Sequence, residues 1–244
     1  MKIYVISLLR SLDRRKRISS QLEQLGVDFE FFDAVDGSQG EHVLWADYNY
    51  LKRKWLISGK KPSSGELGCF ASHYLIWQKC VENNAPVLVI EDDAFIRSNF
   101  AEQFPSIRNC LKEFDFLRLE SEIKGCKVTP IKGEPHSSIG FMTDNSGGTR
   151  SYALTPSAAK KLLSGSTRWC MPVDNYIGAA YIHQVASFIY KPAVVVDTNE
   201  FGTTIQLGEE QKAPNYIKLS RELYQGYCKF RMHIFNRKQV RKFS

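Results

Sequence analysis

Val87-Leu88-Val89-Ile90 is an unbroken apolar run of four residues that leads directly into three consecutive acids, Glu91-Asp92-Asp93. A short β-branched run without polar alternation is the pattern of a strand covered on both faces, as in a parallel sheet flanked by helices. Three carboxylates at the end of such a strand repel one another unless a cation meets them. On an extended chain Glu91 and Asp93 share one face and Asp92 takes the other. Ligands of open α/β sheets bind beyond the carboxyl ends of the strands, where this triplet falls. Hard cations such as Mg²⁺ and Mn²⁺ take oxygen ligands, commonly one or two carboxylates plus substrate phosphates. Glu91 and Asp93 are therefore the expected metal ligands. The competing reading is a solvated strand end with no ligand.

The rest of the chain repeats the α/β rhythm. Lys2 to Leu9 reads as a buried strand. Leu12 to Leu25 reads as a helix, with Ile18, Leu22 and Leu25 on one side, Arg14 to Arg17 on the other, and Gly26 as its stop. Phe29 to Phe32 is a second strand, completing a β-α-β opening. Residues 37–62 look irregular, and a loop of that length is often functional. Ser63-x-x-Glu66 matches a capping box ahead of the apolar Leu67 to Val81. A helix is expected from Phe100 to Leu111 and a strand from Phe114 to Leu119. Loop or hairpin follows from Lys124 to Gly148, then a strand from Ser151 to Leu154. Thr155-Pro156 opens a helix through Leu163. Another helix follows Pro172-Val173, with Asp174 as candidate N-cap. Late strands are expected at Ser187 to Tyr190 and Ala193 to Val196. The fold class is α/β, with a mostly parallel central sheet and helices on both faces.

Charge divides the chain of 244 residues unevenly. Residues 221–244 hold seven Lys/Arg against the single acid Glu222, so six of the net +7 charges lie there. This gives two expected units: a body, 1–220, and a basic, aromatic-rich tail, 221–244. The tail fits a surface helix on anionic lipid, against a solvated terminus. The near-neutral body lacks a nucleic-acid motif, so no nucleic-acid partner is expected. No stretch approaches the length of a membrane span. Six cysteines without C-x-x-C pairs, and no His at zinc-like spacing, suggest a reducing compartment without zinc or disulfides. A cytoplasmic protein is expected, free or peripheral on a membrane surface.

Seven segments then narrow the reading. They are Tyr4-Val5-Ile6-Ser7-Leu8 with Asp13-Arg14-Arg15; Phe31-Phe32-Asp33-Ala34; Gly65-Glu66-Leu67-Gly68-Cys69 with Ser72-His73 and Trp77; Val89-Ile90-Glu91-Asp92-Asp93-Ala94; Arg118-Leu119-Glu120; Gly148-Thr149 with Tyr152-Ala153-Leu154; and Pro172-Val173-Asp174. In this set and order the chain resembles bacterial glycosyltransferase family 25, the lipopolysaccharide and lipooligosaccharide galactosyltransferases, and is similar to the collagen galactosyltransferases. The resemblance implies a GT-A-like nucleotide-sugar fold, a UDP-sugar donor, Mn²⁺ or Mg²⁺, and inversion at the anomeric carbon. It implies a lipid-linked glycan acceptor at the cytoplasmic face of the bacterial inner membrane. Donor contacts are expected from Ser7, Leu8, Arg10, Arg14, Ser72, His73, Glu91, Asp92 and Arg118. After Val196 no pattern of the family can be placed, and no third metal ligand is assigned.

Each of these residues has a plainer reading. Asp174 is the expected catalytic base, since inversion needs a carboxylate opposite the leaving group, but a helix cap would look the same; Glu120 competes for the role. Ser72 and His73 could instead be hydrogen-bonded core residues. Arg118 could neutralise diphosphate or pair with Glu120 or Asp115. One of Arg14 and Arg15 is expected on the helix surface, and Lys52-Arg53-Lys54 on a solvated face. Two other functions fit parts of the sequence. A nucleotidyltransferase would want a Gly-rich basic loop after the first strand, and Ser7-Leu8-Leu9-Arg10-Ser11 has no glycine. A non-catalytic membrane or nucleic-acid binding module would use the tail alone.

Overall fold

The computed structural model describes residues 1–122, 125–135, 137–144, 147–197 and 215–243. Lys124, the first residue of the expected polar loop, and Ser244, the last of the tail, lie outside the described residues.

The main sheet takes β1 (Lys2–Ser7), β2 (Glu30–Asp33), β3 (Val87–Glu91), β5 (Phe116–Arg118), β6 (Val128–Glu134), β7 (Ser137–Met142), β8 (Ser151–Leu154) and β9 (Phe188–Lys191); a two-stranded ribbon pairs β4 (Phe95–Ile96) with β10 (Val195–Val196). The order across the sheet is β2-β1-β3-β8-β5-β9-β7-β6. β1 pairs in parallel with β2 and β3, and β5 with β9, while β8 and β7 run against their neighbours. The expected polar stretch 124–148 supplies the β6–β7 hairpin, which extends the sheet at its far edge.

Helices cover both faces, as expected. They are α1 (Leu12–Gln24), the short α2 (Tyr50–Lys52) continued by a π-turn at Arg53–Ile57, α3 (Ser64–Glu82), α4 (Phe100–Cys110), α5 (Pro156–Gly165), α6 (Val173–Gly178), α7 (Ala180–His183) and α8 (Asn215–Phe243). The alternation of side chains along the strands feeds two cores. Ile3, Val5, Leu88 and Ile90 pack with Ile18 and Leu22 of α1, Phe100 and Ile107 of α4, and Phe235 of α8. Tyr4, Ile6, Val87 and Val89 pack on the opposite face with Phe70, Ile76 and Trp77 of α3 and with α5 and α6. A strand that feeds a core on each side needs apolar residues at every position, which is why Val87 to Ile90 shows no polar alternation.

Local signals act largely as the sequence suggests. Gly26 sits at φ +64, and the Val27 amide reaches back to the Leu22 carbonyl, closing α1 in the left-handed conformation that glycine tolerates best. Ser63 Oγ accepts the Glu66 amide at 3.1 Å. The other half of the capping box is not made, because the Glu66 carboxylate pairs with Arg53 at 2.9 Å. Arg53 is thereby buried, correcting the expectation of a solvated Lys52-Arg53-Lys54 face. Residues 37–62 are less irregular than expected: 3₁₀ turns at Gly37–Gln39 and Val43–Asp47 precede α2. Asp174 is not the N-cap of α6. Pro172 holds that position, and Asp174 lies in the first turn, its carboxylate accepting the Asn175 amide at 2.7 Å.

The basic segment is part of a 29-residue helix that begins at Asn215 and docks on the body. Ile217 and Phe235 are buried, Ser220 Oγ donates to the Trp55 carbonyl at 2.7 Å, and Asn236 donates to the Thr143 carbonyl at 2.6 Å. Phe243 packs against Phe188 and Phe114. No described helix is long and apolar enough to cross a membrane.

Candidate active site

The carboxyl ends of β1, β2 and β3 open into one cleft of about 700 Å³. The parallel register places Ile6 beside Glu91 and Ser7 beside Asp33, so the three strands end at one level. Glu91 ends β3, and Asp92 and Asp93 turn the chain back, with the Ala94 amide bonded to the Glu91 carbonyl at 3.1 Å. Of the residues expected at the site, Ser7, Leu8, Arg10, Arg14, Ser72, His73, Glu91, Asp92 and Asp93 line this cleft. Arg118, Glu120 and Asp174 do not.

The three acids have different partners. Glu91 faces α3 and β8: Thr149 Oγ1 donates to its Oε1 at 2.5 Å, and His73 Nε2 lies 3.2 Å from the same oxygen. Burial raises the carboxyl pKa, but the bonds from His73 and Thr149 and the charge of Arg150 outweigh it, and the net shift is downward. Asp92 faces the end of β1 and the start of α1, where Ser7 Oγ donates at 2.6 Å and Arg14 pairs at 3.2 Å. Asp93 is different. Its Oδ1 is buried and no described group hydrogen-bonds it. Burial, then repulsion from Glu91, pushes its pKa up to about 6, with Arg150 and Arg14 pulling the other way. A buried acceptor beside a second carboxylate is what a divalent cation would relieve.

Arg14 and Arg15 are both engaged, which corrects the expectation that one lies on the helix surface. Arg15 holds the Ser7 and Leu8 carbonyls and pairs with Asp33 at 2.5 Å. Arg17 also reaches inward, to the carbonyls of Asp92 and Ala94. Ser72 latches the opposite wall, donating to Gly68 O at 2.7 Å and accepting the Val35 amide at 2.9 Å. His73 is fully buried, with Nδ1 2.8 Å from the Tyr152 hydroxyl. Both residues satisfy the core reading and also form the cleft wall.

Arg118 and Glu120 lie behind that wall. Arg118 is buried, bonds Glu120 at 3.1 Å, and holds the Gly147 and Gly148 carbonyls at 2.7 and 2.5 Å. Burial pushes the Glu120 carboxyl up to about 7, against the pull of Arg118. Asp174 lies on α6, which packs against α3 through the core that joins Val173, Tyr176 and Ile177 to Leu67, Phe70 and Trp77.

Asp36, Ser38 and Cys69 line the cleft without being among the site residues expected from sequence. Asp36 and Ser38 line the cleft just beyond β2, and Asp36 pairs with Arg10 at 2.7 Å. Hydrogen bonds from Arg10 and then Ser38 hold the Asp36 carboxyl well below the usual range. The available signal was an Asp-Gly pair, Asp36-Gly37, a few residues past the end of a strand. Cys69 is the third. The helical spacing of four puts Cys69 beside His73, and their ligand atoms and that of Glu91 lie within 4.8 Å of one another. Burial, then the surrounding carboxylates, holds the Cys69 thiol protonated, and His73 is engaged at both ring nitrogens. A protonated thiol beside an imidazole already bonded to Glu91 and Tyr152 is a poor starting state for a thiolate metal centre.

The sequence model of the family described as Glycosyltransferase family 25 (LPS biosynthesis protein) matches residues 1–177, the span that contains all three acids, the cleft and Asp174. The chain belongs to glycosyltransferase family 25. Family 25 relatives include a Haemophilus influenzae protein named lipooligosaccharide biosynthesis protein lic2B, 29% identical over 71% of this chain and 65% of its own length. A human relative named inactive glycosyltransferase 25 family member 3 is 32% identical over 72% of this chain and 31% of its own. Procollagen galactosyltransferase 1-B of Xenopus laevis is 28% identical over 74% of this chain and 31% of its own. The chain therefore spans under two thirds of the length of each of these family 25 proteins.

Proposed function

We propose that this chain is an inverting glycosyltransferase that moves a hexose, galactose first among them, from a UDP-sugar to a sugar of a lipid-linked lipopolysaccharide or lipooligosaccharide acceptor. The observation that carries this is the unpartnered, buried Asp93 oxygen in a cleft of about 700 Å³ at the ends of three parallel strands. The names of the Haemophilus and Xenopus relatives support the acceptor class and the sugar respectively.

Mn²⁺ or Mg²⁺ fits the donor set, and Asp93 with the remaining oxygen of Glu91 would hold it. Such an ion would neutralise charge on a leaving diphosphate. The chain's own residues do the rest. Arg14 and Arg10 bring positive charge to the same side of the cleft, and Asp36 offers acceptor oxygens beside them for donor hydroxyls. Ser72 and His73 fix the wall that orients the donor. Asp174 is proposed to take the proton from the acceptor hydroxyl as the new bond forms. Glu120 is the weaker candidate because its buried carboxylate is already paired with Arg118.

The test is a panel of UDP-sugars offered to the purified protein with Mn²⁺, Mg²⁺ or chelator, following release of UDP. Release from one donor, abolished by chelator, is the expected result. No release from any member would remove the reading and leave a binding protein.

A further inference from the structure

Helix α8 carries apolar residues on two sides. Its inner side docks through Ile217 and Phe235, with Met232 and Val240 packed beside the core. Its outer side presents Tyr216, Leu219, Leu223, Tyr227, Phe230 and Ile234, spaced by three, four, four, three and four residues. That spacing is one stripe along a helix. It is open among the described residues: Leu219 is 65%, Leu223 68% and Phe230 62% exposed. The same register continued over the next two turns reaches Arg237, Lys238 and Arg241, all exposed. At the other end Trp55, itself half-exposed, lies 5.8 Å from the Tyr216 ring.

We propose that this outer face of α8 is a docking surface for an anionic lipid bilayer, lying flat in the headgroup region. Isolated exposed leucines are ordinary, but a continuous stripe of this length on one helix marks an interaction site. Lipid is the occupant that its charge selects. The apolar series ends in three cations, and Glu222 is the single acid of the helix, so the surface complements a negative headgroup layer. A second copy of the chain would bring like charges together along the same seam. Trp55, Tyr216 and Tyr227 have the amphipathic rings that settle at a headgroup boundary. The docked inner face fixes the orientation, so only the outer stripe can enter the membrane. The inference rests on the proposed function only in that a lipid-linked acceptor gives the contact its use.

Vesicle sedimentation of the full chain, with no nucleotide sugar or acceptor present, tests it separately from the transfer reaction. The parent should bind vesicles of phosphatidylcholine mixed with phosphatidylglycerol far better than pure phosphatidylcholine, and salt should weaken binding. Each lost cation should lower binding about fivefold, so the triple variant Arg237→Gln, Lys238→Gln, Arg241→Gln should bind about 100-fold more weakly and lose most salt dependence. The double variant Leu223→Gln, Phe230→Gln should lower binding at every salt concentration, with an unchanged melting temperature because both side chains are exposed. Binding equal to the parent in both variants overturns the proposal, as does the absence of any preference for anionic vesicles at low salt. A dimer in solution that Leu223→Gln converts to monomer would assign the stripe to a second copy instead.

Discussion

The Thr149 hydroxyl bonds Glu91 Oε1 at 2.5 Å, tying the end of β3 to the segment leading into β8. With His73 on the same oxygen, Glu91 is a partly satisfied carboxylate, and Asp92 is satisfied by Ser7 and Arg14. Asp93 alone of the three keeps a buried oxygen without a hydrogen bond.

Asp93→Asn is therefore expected to abolish metal-dependent transfer while stabilising the metal-free protein above about pH 6. The folded-state pKa is raised from 3.8 to about 6, so ionising Asp93 costs folding energy that is absent below the lower value and complete above the upper. The full gap is at most about 3 kcal/mol. Melting of both proteins in chelator from pH 4 to 8 checks this. Metal affinity by calorimetry should rise with pH to about 6 and then level off. A variant that is less stable than the parent at pH 8 would contradict the assignment.

Asp174→Asn tests the proposed base. Asp174 is not the α6 cap, so this change should leave melting nearly unaltered. Turnover should fall by roughly 10²-fold or more with donor affinity near the parent value, as for loss of a general base. Rapid-quench turnover beside donor binding separates the two. Loss of donor binding with intact turnover of the bound complex would make Asp174 a donor ligand.

Gly68→Ala should open the cleft wall. A Cβ at Gly68 would sit 2.4 Å from the Val35 carbonyl oxygen and 2.9 Å from the Gly37 amide, both backbone atoms that cannot swing aside. The 35–38 segment must shift, carrying Asp36 and Ser38 with it. The expected readout is loss of UDP binding by at least tenfold, roughly 1.4 kcal/mol. Unchanged affinity would mean that this segment does not touch the nucleotide.

Truncation after Ser220 should lower stability, because it removes Phe235 from the core and Asn236 from the Thr143 carbonyl. Phe235→Ala alone should cost about 3–5 kcal/mol. Urea titration of the point variant gives the figure, and a truncated chain that melts with the parent would show that α8 contributes nothing to the fold.

What the sequence determined by itself is local or periodic. The double-sided hydrophobicity of Val87 to Ile90 required a sheet covered on both faces, and the position of Glu91, Asp92 and Asp93 at the strand end put them at the cleft beyond the sheet. Gly26 and Ser63 marked helix ends because caps depend on a few neighbouring residues. Tertiary structure alone decided which carboxylate keeps an open oxygen, since Thr149, His73, Ser7 and Arg14 reach the triplet from 18 to 85 residues away along the chain. It also decided that Arg53 is buried, because its partner Glu66 comes from another helix. Residues 221–244 show the same divide. Their charge was legible, but apolar residues on two sides of one helix blur the amphipathic signal. Only packing shows that Phe235 faces the core while Phe230 faces out.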